Sequence, residues 1–337
     1  VILATFQRLS DHAGTPGRLG AVDRASATVL DLQAAQKSLS GREPEALRSM
    51  LALIEAGEPG MELARSTQQR AAGHLTATSP LHEVRLLAPV PVPAQMRDFL
   101  VFEKHIRGAG AAMAKLRAER TGSTDPLPTP AQVNPPETFF RQPIYYKTNR
   151  FSVVGHEHEV RWPSYSRKFD YELELGIFLA KKGKNIRLED AAGYIFGYTI
   201  FNDFSARDAQ EYEMACPLGP AKGKDFDTGN VIGPWIVTPD EIPDPRQLTM
   251  TASINGEVWS RGNTRDMVHG FERMIAHVSR EETLYPGEFF GSGTVGGGCG
   301  LELDRWLQPG DTVELEIEHI GKLRNRVVRE DDAIHAL

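Results

Sequence analysis

The run Phe169-Asp170-Tyr171-Glu172-Leu173-Glu174-Leu175-Gly176-Ile177-Phe178-Leu179-Ala180 has the period of a β-strand. Strand side chains alternate between faces, so Tyr171, Leu173, Leu175, Ile177 and Leu179 share one side and Glu172, Glu174, Gly176, Phe178 and Ala180 the other. Beyond its two glutamates the second face is apolar or small, which places both carboxylates in buried surroundings. An unpaired buried carboxylate either takes up a proton or finds a cation, and two side by side sharpen the conflict. A divalent metal ion is the simplest resolution.

The chain contains its own control. Val313-Glu314-Leu315-Glu316-Ile317-Glu318 repeats the spacing, but its glutamate face is continued by Thr312 and reads as the wet side of an ordinary amphipathic strand. Glu-x-Glu alone therefore decides little. The continuation through Gly176, Phe178 and Ala180 is what favours a metal or catalytic role over a surface ion pair for the first copy.

Across 337 residues, 38 basic and 45 acidic side chains give a formal net charge of -7. The length allows two domains or one large one, and the charge argues against a general nucleic-acid binder and for small-molecule work. The sequence offers no apolar stretch long enough for a membrane span and no signal-peptide succession at its start, so the cytoplasm is the expected compartment. Cys216 and Cys299 are too few for a disulfide framework or a thiolate metal site and are expected as reduced, partly buried thiols.

Two units are expected, 1–83 and 84–337. The first reads as a small α/β domain, with short strands over 1–6, 18–22 and 29–32. A helix over 44–56 follows, with Leu47, Met50, Leu51 and Ile54 as its apolar stripe, Pro44 in the first turn and Gly57 as the stop. Prolines in Leu87-Ala88-Pro89-Val90-Pro91-Val92-Pro93 stiffen the passage into the second unit. That unit carries strand signals at 152–154, 194–201, 231–238, 249–254 and 312–317, with a hairpin turn at Asn255-Gly256 leading into Val258-Trp259. Helices are expected from about Asp98 and from about Asp266, the latter with a core or subunit-contact stripe of Met267, Phe271, Met274, Ile275 and Val278. The fold class is α+β, mainly β.

Further candidate ligands lie outside the opening stretch. Asp203 ends the apolar strand Tyr198-Thr199-Ile200-Phe201-Asn202 and opens a polar turn, a suitable place for a ligand to a hard cation; oxygen ligands favour magnesium, calcium or manganese over zinc. Beyond it, Asp208 is a candidate helix cap and Arg207 a candidate partner for it. With a helix from Asp98, the seven positions to His105 make nearly two turns, so the two residues share a face about 10 Å apart along the axis. That separation suits a metal ligand followed by a general base, against the commoner roles of a surface histidine or one satisfied in the core.

Taken in order, Asp98 with His105, Glu172-Leu173-Glu174, Asn202-Asp203-Phe204-Ser205-Ala206-Arg207-Asp208-Ala209-Gln210, Leu218-Gly219-Pro220-Ala221-Lys222-Gly223-Lys224-Asp225-Phe226, Gly291-Ser292-Gly293-Thr294 and Leu301-Glu302-Leu303 resemble the motifs of the fumarylacetoacetate hydrolase family over about 85–310. The N-terminal unit looks like the small domain of its longer bacterial members. The resemblance implies a mixed β-roll in a homodimer. It implies a divalent ion, usually magnesium and otherwise calcium or manganese, held by Asp98, Glu172, Glu174 and Asp203, and a water activated by His105 that Glu302 orients. Lys224, Arg207 and Gln210 match residues that stabilise developing negative charge, and Thr294 matches one near the substrate carboxylate, with Arg207 and Gln210 also at the substrate.

The implied reaction is a Claisen-type hydrolysis of a small dicarbonyl acid, an acylpyruvate or a fumarylacetoacetate-like compound of aromatic catabolism. Two substrate oxygens chelate the metal, His105 deprotonates the attacking water, and carbon–carbon cleavage expels an enolate held at the metal. The family also contains isomerases and decarboxylases, which makes an isomerase or decarboxylase of a 2-oxo or 2-hydroxymuconate-type acid the alternative, followed by a non-catalytic metabolite-binding protein.

Departures from the pattern concern the substrate. Leu100 stands where eukaryotic fumarylacetoacetate hydrolases have tyrosine, which argues against fumarylacetoacetate itself. The proline-rich segment 121–149 is long enough to close over a substrate or to be a passive insertion, and Arg141, Lys147 and Arg150 are candidates for an anionic tail or simply solvated charge. Gly291-Ser292-Gly293-Thr294-Val295-Gly296 has dinucleotide glycine spacing without a following helix, His156-Glu157-His158 reads as a polar turn, and no Gly-x-Ser-x-Gly elbow is present.

Overall fold

In the computed structural model, which describes residues 1–71 and 75–329, the N-terminal strands form one end of the main sheet. Strands β1 (Ile2–Arg8), β2 (Arg18–Asp23) and β3 (Thr28–Asp31) make an antiparallel meander. Asp31 then caps α1 (Leu32–Ser40) by accepting from the Ala34 N–H. The helix expected over 44–56 does end at Gly57, but it begins later and a second helical stretch follows directly. A 3-10 turn, Glu45–Leu47, leads into α2 (Met50–Arg70), which breaks at Gly57, φ 62°, and resumes because Pro59 fits the first turn of a new helical stretch. Strands β4 (Thr78–Pro80) and β5 (Val84–Leu86) pair with β3 and β1.

Next come β6 (Met96–Leu100), α3 (Glu103–Thr121), α4 (Glu137–Arg141) and β7 (Ile144–Lys147). Strands β8 (Val153–Val154), β9 (Glu159–Arg161) and β10 (Phe169–Asp170) precede the long β11 (Leu173–Leu179). The chain continues through β12 (Ile195–Asp203), β13 (Ser205–Ala206), α5 (Arg207–Glu213) and β14 (Asn230–Val237). The expected hairpin is β15 (Thr249–Ile254) and β16 (Glu257–Asn263), with Asn255 and Gly256 both at positive φ. The helix expected from Asp266 begins later, as α6 (Phe271–Val278), because Gly270 takes the extended N-cap position. Strand β17 (Phe289–Gly291), α7 (Gly300–Leu303), β18 (Thr312–Ile317) and β19 (Gly321–Val328) complete the order.

The main sheet runs β4-β3-β2-β1-β14-β12-β11-β17-β6-β7, with β5 on β1 and β8 on β14; a second sheet runs β16-β15-β18-β19-β9. Neither path closes into a barrel, and the fold is α+β and mainly β, as its sequence predicts. Ile2 lies opposite Val237, so the N-terminal strands and the rest of the chain share one sheet. One apolar cluster joins Leu173, Leu175, Ile177 and Leu179 to the inner faces of β15 and β18 and to α6. A second joins Phe178 on the other face of β11 to Phe201, Phe289 and the apolar stripe of α2. Both faces of β11 are therefore covered, and all seven of its residues are buried.

Asp98 is a strand residue, not the start of a helix. Its strand is held on both sides, parallel to β17 and antiparallel to β7, with Asp98 opposite Gly291 and Tyr146. These long-range pairings outweigh local helical preference, and α3 starts only after Val101 and Phe102 are buried. No helix among the described residues is long and apolar enough to cross a membrane. Cys299 is buried, whereas Cys216, in the turn after α5, is exposed rather than partly buried; both are free.

Candidate active site

Four adjacent strands, β12-β11-β17-β6, bring three acids together. Asp203 ends β12, Glu174 lies near the start of β11, and Asp98 lies on β6, with ligand oxygens all within 4.8 Å of one another and every side chain buried. The strand between Glu174 and Asp98 makes this possible by contributing Gly291. A Cβ there would lie 2.4 Å from Asp98 Oδ1 and 3.0 Å from Glu174 Oε2, so a side chain would fill the space where the acids meet. The Gly293 N–H donates to Glu174 Oε2 at 2.9 Å and to Asp98 Oδ1 at 3.2 Å, from a φ of 79° where a Cβ would strike the Phe99 carbonyl.

Burial sets the electrostatics. It pushes the Asp98 carboxyl up to about 8, with the charge of Asp203 adding to the effect. Glu174 is raised well above the usual carboxylate range, first by burial and then by Asp98. Asp203 is raised by burial despite Lys224 beside it. Its Oδ2 accepts from Tyr146 and from Lys224, each at 2.6 Å, while its buried Oδ1 has no hydrogen-bond partner. An orphaned carboxylate oxygen, a glycine-lined gap and an all-oxygen donor set fit a hard divalent cation.

Glu172, expected as the fourth ligand, is engaged differently. It precedes β11, bridges Cys299 through its backbone, and its carboxylate accepts from Arg207 Nη2 at 2.6 Å and from Lys224 Nζ. Burial pushes this carboxyl up, but the two cations outweigh burial and hold it well below its usual range. The structure thus brings Asp98, Glu174 and Asp203 into one group and turns Glu172 toward Arg207 and Lys224.

His105 lies in the first turn of α3, its Nδ1 2.8 Å from Glu302 Oε2, with the two side chains 8% and 5% exposed. Glu302, on α7, is fixed from two more sides: Oε1 accepts the Gly297 N–H at 3.0 Å, and the Cys299 thiol donates to Oε2 at 3.4 Å. Gly108 lets α3 approach, since a Cβ there would lie 2.5 Å from Glu302 Oε1. With Nδ1 held, Nε2 is the nitrogen left to the cavity that His105 lines. Asp98 lines the same cavity, so the two residues meet across it rather than along a helix.

That cavity has a volume of about 390 Å³, and Glu172, Arg207, Gln210, Lys224, Thr294 and Tyr146 also line it. Thr294 donates to Glu174 at 3.4 Å. Arg207 does not pair with Asp208: its Nε donates to Asp170 at 2.8 Å and its Nη1 to Gln210 at 2.9 Å, while Asp208 accepts from Ser166 and the Arg167 N–H. Arg141 pairs with Glu137 and Arg150 lies over the Phe151 ring, and neither they nor Lys147 line the cavity. His156 and Glu157 form a turn bonded to Arg324.

Two residues of the site lie outside the expected set. Asp170 holds Arg207 and also accepts the Gly300 and Leu301 N–H groups, tying the cation to the helix that carries Glu302. An acid two residues before Glu172 in the same apolar run was the available signal. Tyr146 belongs to the segment 121–149, whose end is not loose: β7 pairs with β6 and lends Ile144, Tyr145 and Tyr146 to the cavity wall. Alternation in Ile144-Tyr145-Tyr146-Lys147 was its signal.

A buried oxygen cage suited to a divalent cation, facing a His–Glu pair on an open, mainly β scaffold, defines the class of protein. Residues 104–328 match the family described as fumarylacetoacetate (FAA) hydrolase C-terminal, and the chain belongs to the fumarylacetoacetate hydrolase family. It is 33% identical over 293 residues to the mitochondrial oxaloacetate tautomerase FAHD2A of Homo sapiens, covering 86% of this chain and 83% of that protein. Among solved structures, maleylpyruvate hydrolase from Sphingobium sp. SYK-6 is similar at a TM-score of 0.69 and 25% identity, over 98% of this chain and 100% of that one. The same hydrolase has been solved with manganese(II) and pyruvate. A fumarylacetoacetate hydrolase from Exiguobacterium antarcticum shares the fold at a TM-score of 0.70 and 24% identity, over 98% of this chain and 100% of that one.

Proposed function

We propose that the protein is a divalent-metal-dependent hydrolase that cleaves a carbon–carbon bond in a small β-diketo acid of the acylpyruvate kind. The observation that carries this reading is the buried His105–Glu302 pair, 2.8 Å apart, in the wall of the cavity that Asp98 also lines. Asp98, Glu174 and Asp203 would hold the ion, with Glu172 as a further oxygen nearby; magnesium is the first expectation, and manganese, found in the related maleylpyruvate hydrolase, has the same preference for oxygen. When bound, the ion supplies Lewis-acid polarisation of a substrate oxygen.

The chain's own residues divide the remaining work. Glu302 accepts from His105 Nδ1–H, which leaves the lone pair on Nε2. At Nε2 His105 takes a proton from water, and Glu302 steadies the imidazolium that forms. The water oxygen bonds to C4 of a 2,4-dioxo acid, the C3–C4 bond breaks, and its electron pair passes to the 2-oxo half. His105 returns its proton to C3. Lys224 and Arg207, beside the carboxylates, keep two positive charges where substrate oxygens gain negative charge. Thr294 and Gln210 supply polar contacts for the substrate carboxylate. Loss of the ultraviolet absorbance of 2,4-diketo acids, measured with and without chelator, tests the reading. His105→Ala should lower the rate by about 10²–10⁴, and turnover unaffected by chelator would sink it.

The 33% identity to an oxaloacetate tautomerase favours a second reading, interconversion of the enol and keto forms of a 2-oxo acid. His105 would then move a proton to or from carbon with no bond to water formed. Reaction in ¹⁸O-labelled water separates the two: hydrolysis places label in a new carboxylate, whereas tautomerisation gives one product with no labelled carboxylate, and carbon dioxide release would mark a decarboxylase. A homodimer is the expected assembly, to be measured by light scattering.

A further inference from the structure

We infer that the part of the substrate beyond its oxo-acid head is uncharged and apolar, an alkyl or aryl acyl group rather than a second carboxylate. The inference rests on the diketo-acid reading for the head and on the cavity's remaining walls for the tail. Two helices start at the polar end, α3 with His105 in its first turn and α5 at Arg207. At about 1.5 Å per residue, Met113 lies roughly 12 Å along α3 from His105, and Met214 roughly 10 Å beyond Arg207. Together with Leu100, Ile106, Ile144 and Pro220, these residues make the rest of the lining apolar.

Among the described residues no unspent cation faces that space. Arg207 and Lys224 are the cations among the described lining residues. The nitrogens of Arg207 donate to Asp170, Gln210 and Glu172, and Lys224 donates to Glu172 and Asp203. Arg141, Lys147 and Arg150 lie outside the lining. A tail carboxylate set against the partly buried Ile106 and Met113 would give up part of its hydration without a partner in return. An apolar tail would instead gain roughly threefold to fourfold in affinity per buried methylene, and the methionines can adapt to differences in its shape.

The test separates head from tail. Magnesium-loaded protein is titrated by calorimetry with simple 2-oxo acids that hydrolysis cannot cleave: 2-oxobutanoate, 2-oxohexanoate, 2-oxooctanoate and the diacid 2-oxoadipate. Binding should tighten by roughly threefold to fourfold per added methylene, and 2-oxoadipate should bind at least tenfold more weakly than 2-oxohexanoate, which has the same number of carbons. Equal or tighter binding of 2-oxoadipate would overturn the inference. Met214→Arg, at a position 44% exposed and tolerant of charge, should shrink that gap at least tenfold; an unchanged gap would place the tail elsewhere and also overturn it. If the binding trend holds while no acylpyruvate is cleaved, the hydrolytic reading fails and the apolar tail stands.

Discussion

Two Glu-x-Glu strands in one chain meet opposite fates. On β11 both faces are covered, Glu174 is fully buried, and its carboxyl is held well above its usual range by burial and by Asp98. On β18 the inner face packs into the core while Glu314 and Glu316 share Lys322, whose Nζ lies 2.7 and 3.5 Å from them with half of its side chain exposed. The spacing is the same, so the difference comes from what covers the second face. Phe178, Phe201, Phe289 and the stripe of α2 exclude water from one pair of acids, and nothing comparable among the described residues covers the other. Burial turns a pattern that water would neutralise into one that requires a proton, a cationic side chain or a metal ion.

The largest expected effect comes from removing that requirement. Glu174→Gln should reduce ion-dependent turnover to background and weaken divalent-ion binding in calorimetry, yet raise the denaturant midpoint of the metal-free protein, because a costly buried acid is gone. Loss of activity with gain of stability is the signature of an acid kept for function. Glu316→Gln should show neither change. A metal-free protein destabilised by Glu174→Gln would show that the acid is structural.

Next in size is the approach of α3 to Glu302. Gly108→Ala introduces a methyl group 2.5 Å from Glu302 Oε1 and should displace the carboxylate that orients His105, lowering kcat by about 10²-fold with little change in ion affinity. Alanine is about 1 kcal/mol better than glycine in a helix interior, so stability should hold while activity falls. Unchanged kcat would mean that His105 does not depend on Glu302 for its orientation.

The acid cage should also give the metal-free protein a pH dependence that β18 lacks. Asp98, pushed up to about 8 from an ordinary 3.8, keeps a proton in the folded state that the unfolded chain has already released over that window. Folding stability should therefore fall as pH rises from about 4 to 8, and magnesium should restore it most at the upper end, where binding displaces fewer protons. Denaturant midpoints at pH 5 and pH 8.5, with and without magnesium, check the sign; a metal-free protein more stable at the higher pH would contradict it.

What the sequence made legible was local. The period of β11, the ending of β12 at Asp203 and the Asn255-Gly256 turn all rest on neighbours in the chain, and each is found in place. Asp98 was misplaced on a helix because its strand is made by Gly291 and Tyr146, residues far away in sequence. Glu172 pairs with Arg207 and shares Lys224 with Asp203, contacts that alternation along a strand does not encode. Asp170 gave a local hint, but its roles, holding Arg207 and anchoring α7, appear only once residues 37 and 130 positions away arrive beside it.

The smallest effect is expected at the control strand itself. Glu314 and Glu316 share one lysine, so when either is replaced by alanine the other remains within reach of Lys322. Exposed pairs of this kind contribute little after screening and the entropy of fixing long side chains, and each substitution should change stability by about 0.5 kcal/mol or less. The change should shrink further in high salt, in contrast to Glu174, whose surroundings exclude mobile ions. A salt-insensitive loss of several kcal/mol from Glu316→Ala would mean that its face of β18 is covered in the working protein, by a second copy or by another partner. The two strands would then differ in their cations and no longer in their exposure to water, and burial would cease to explain why only one of them is paired with a His–Glu dyad.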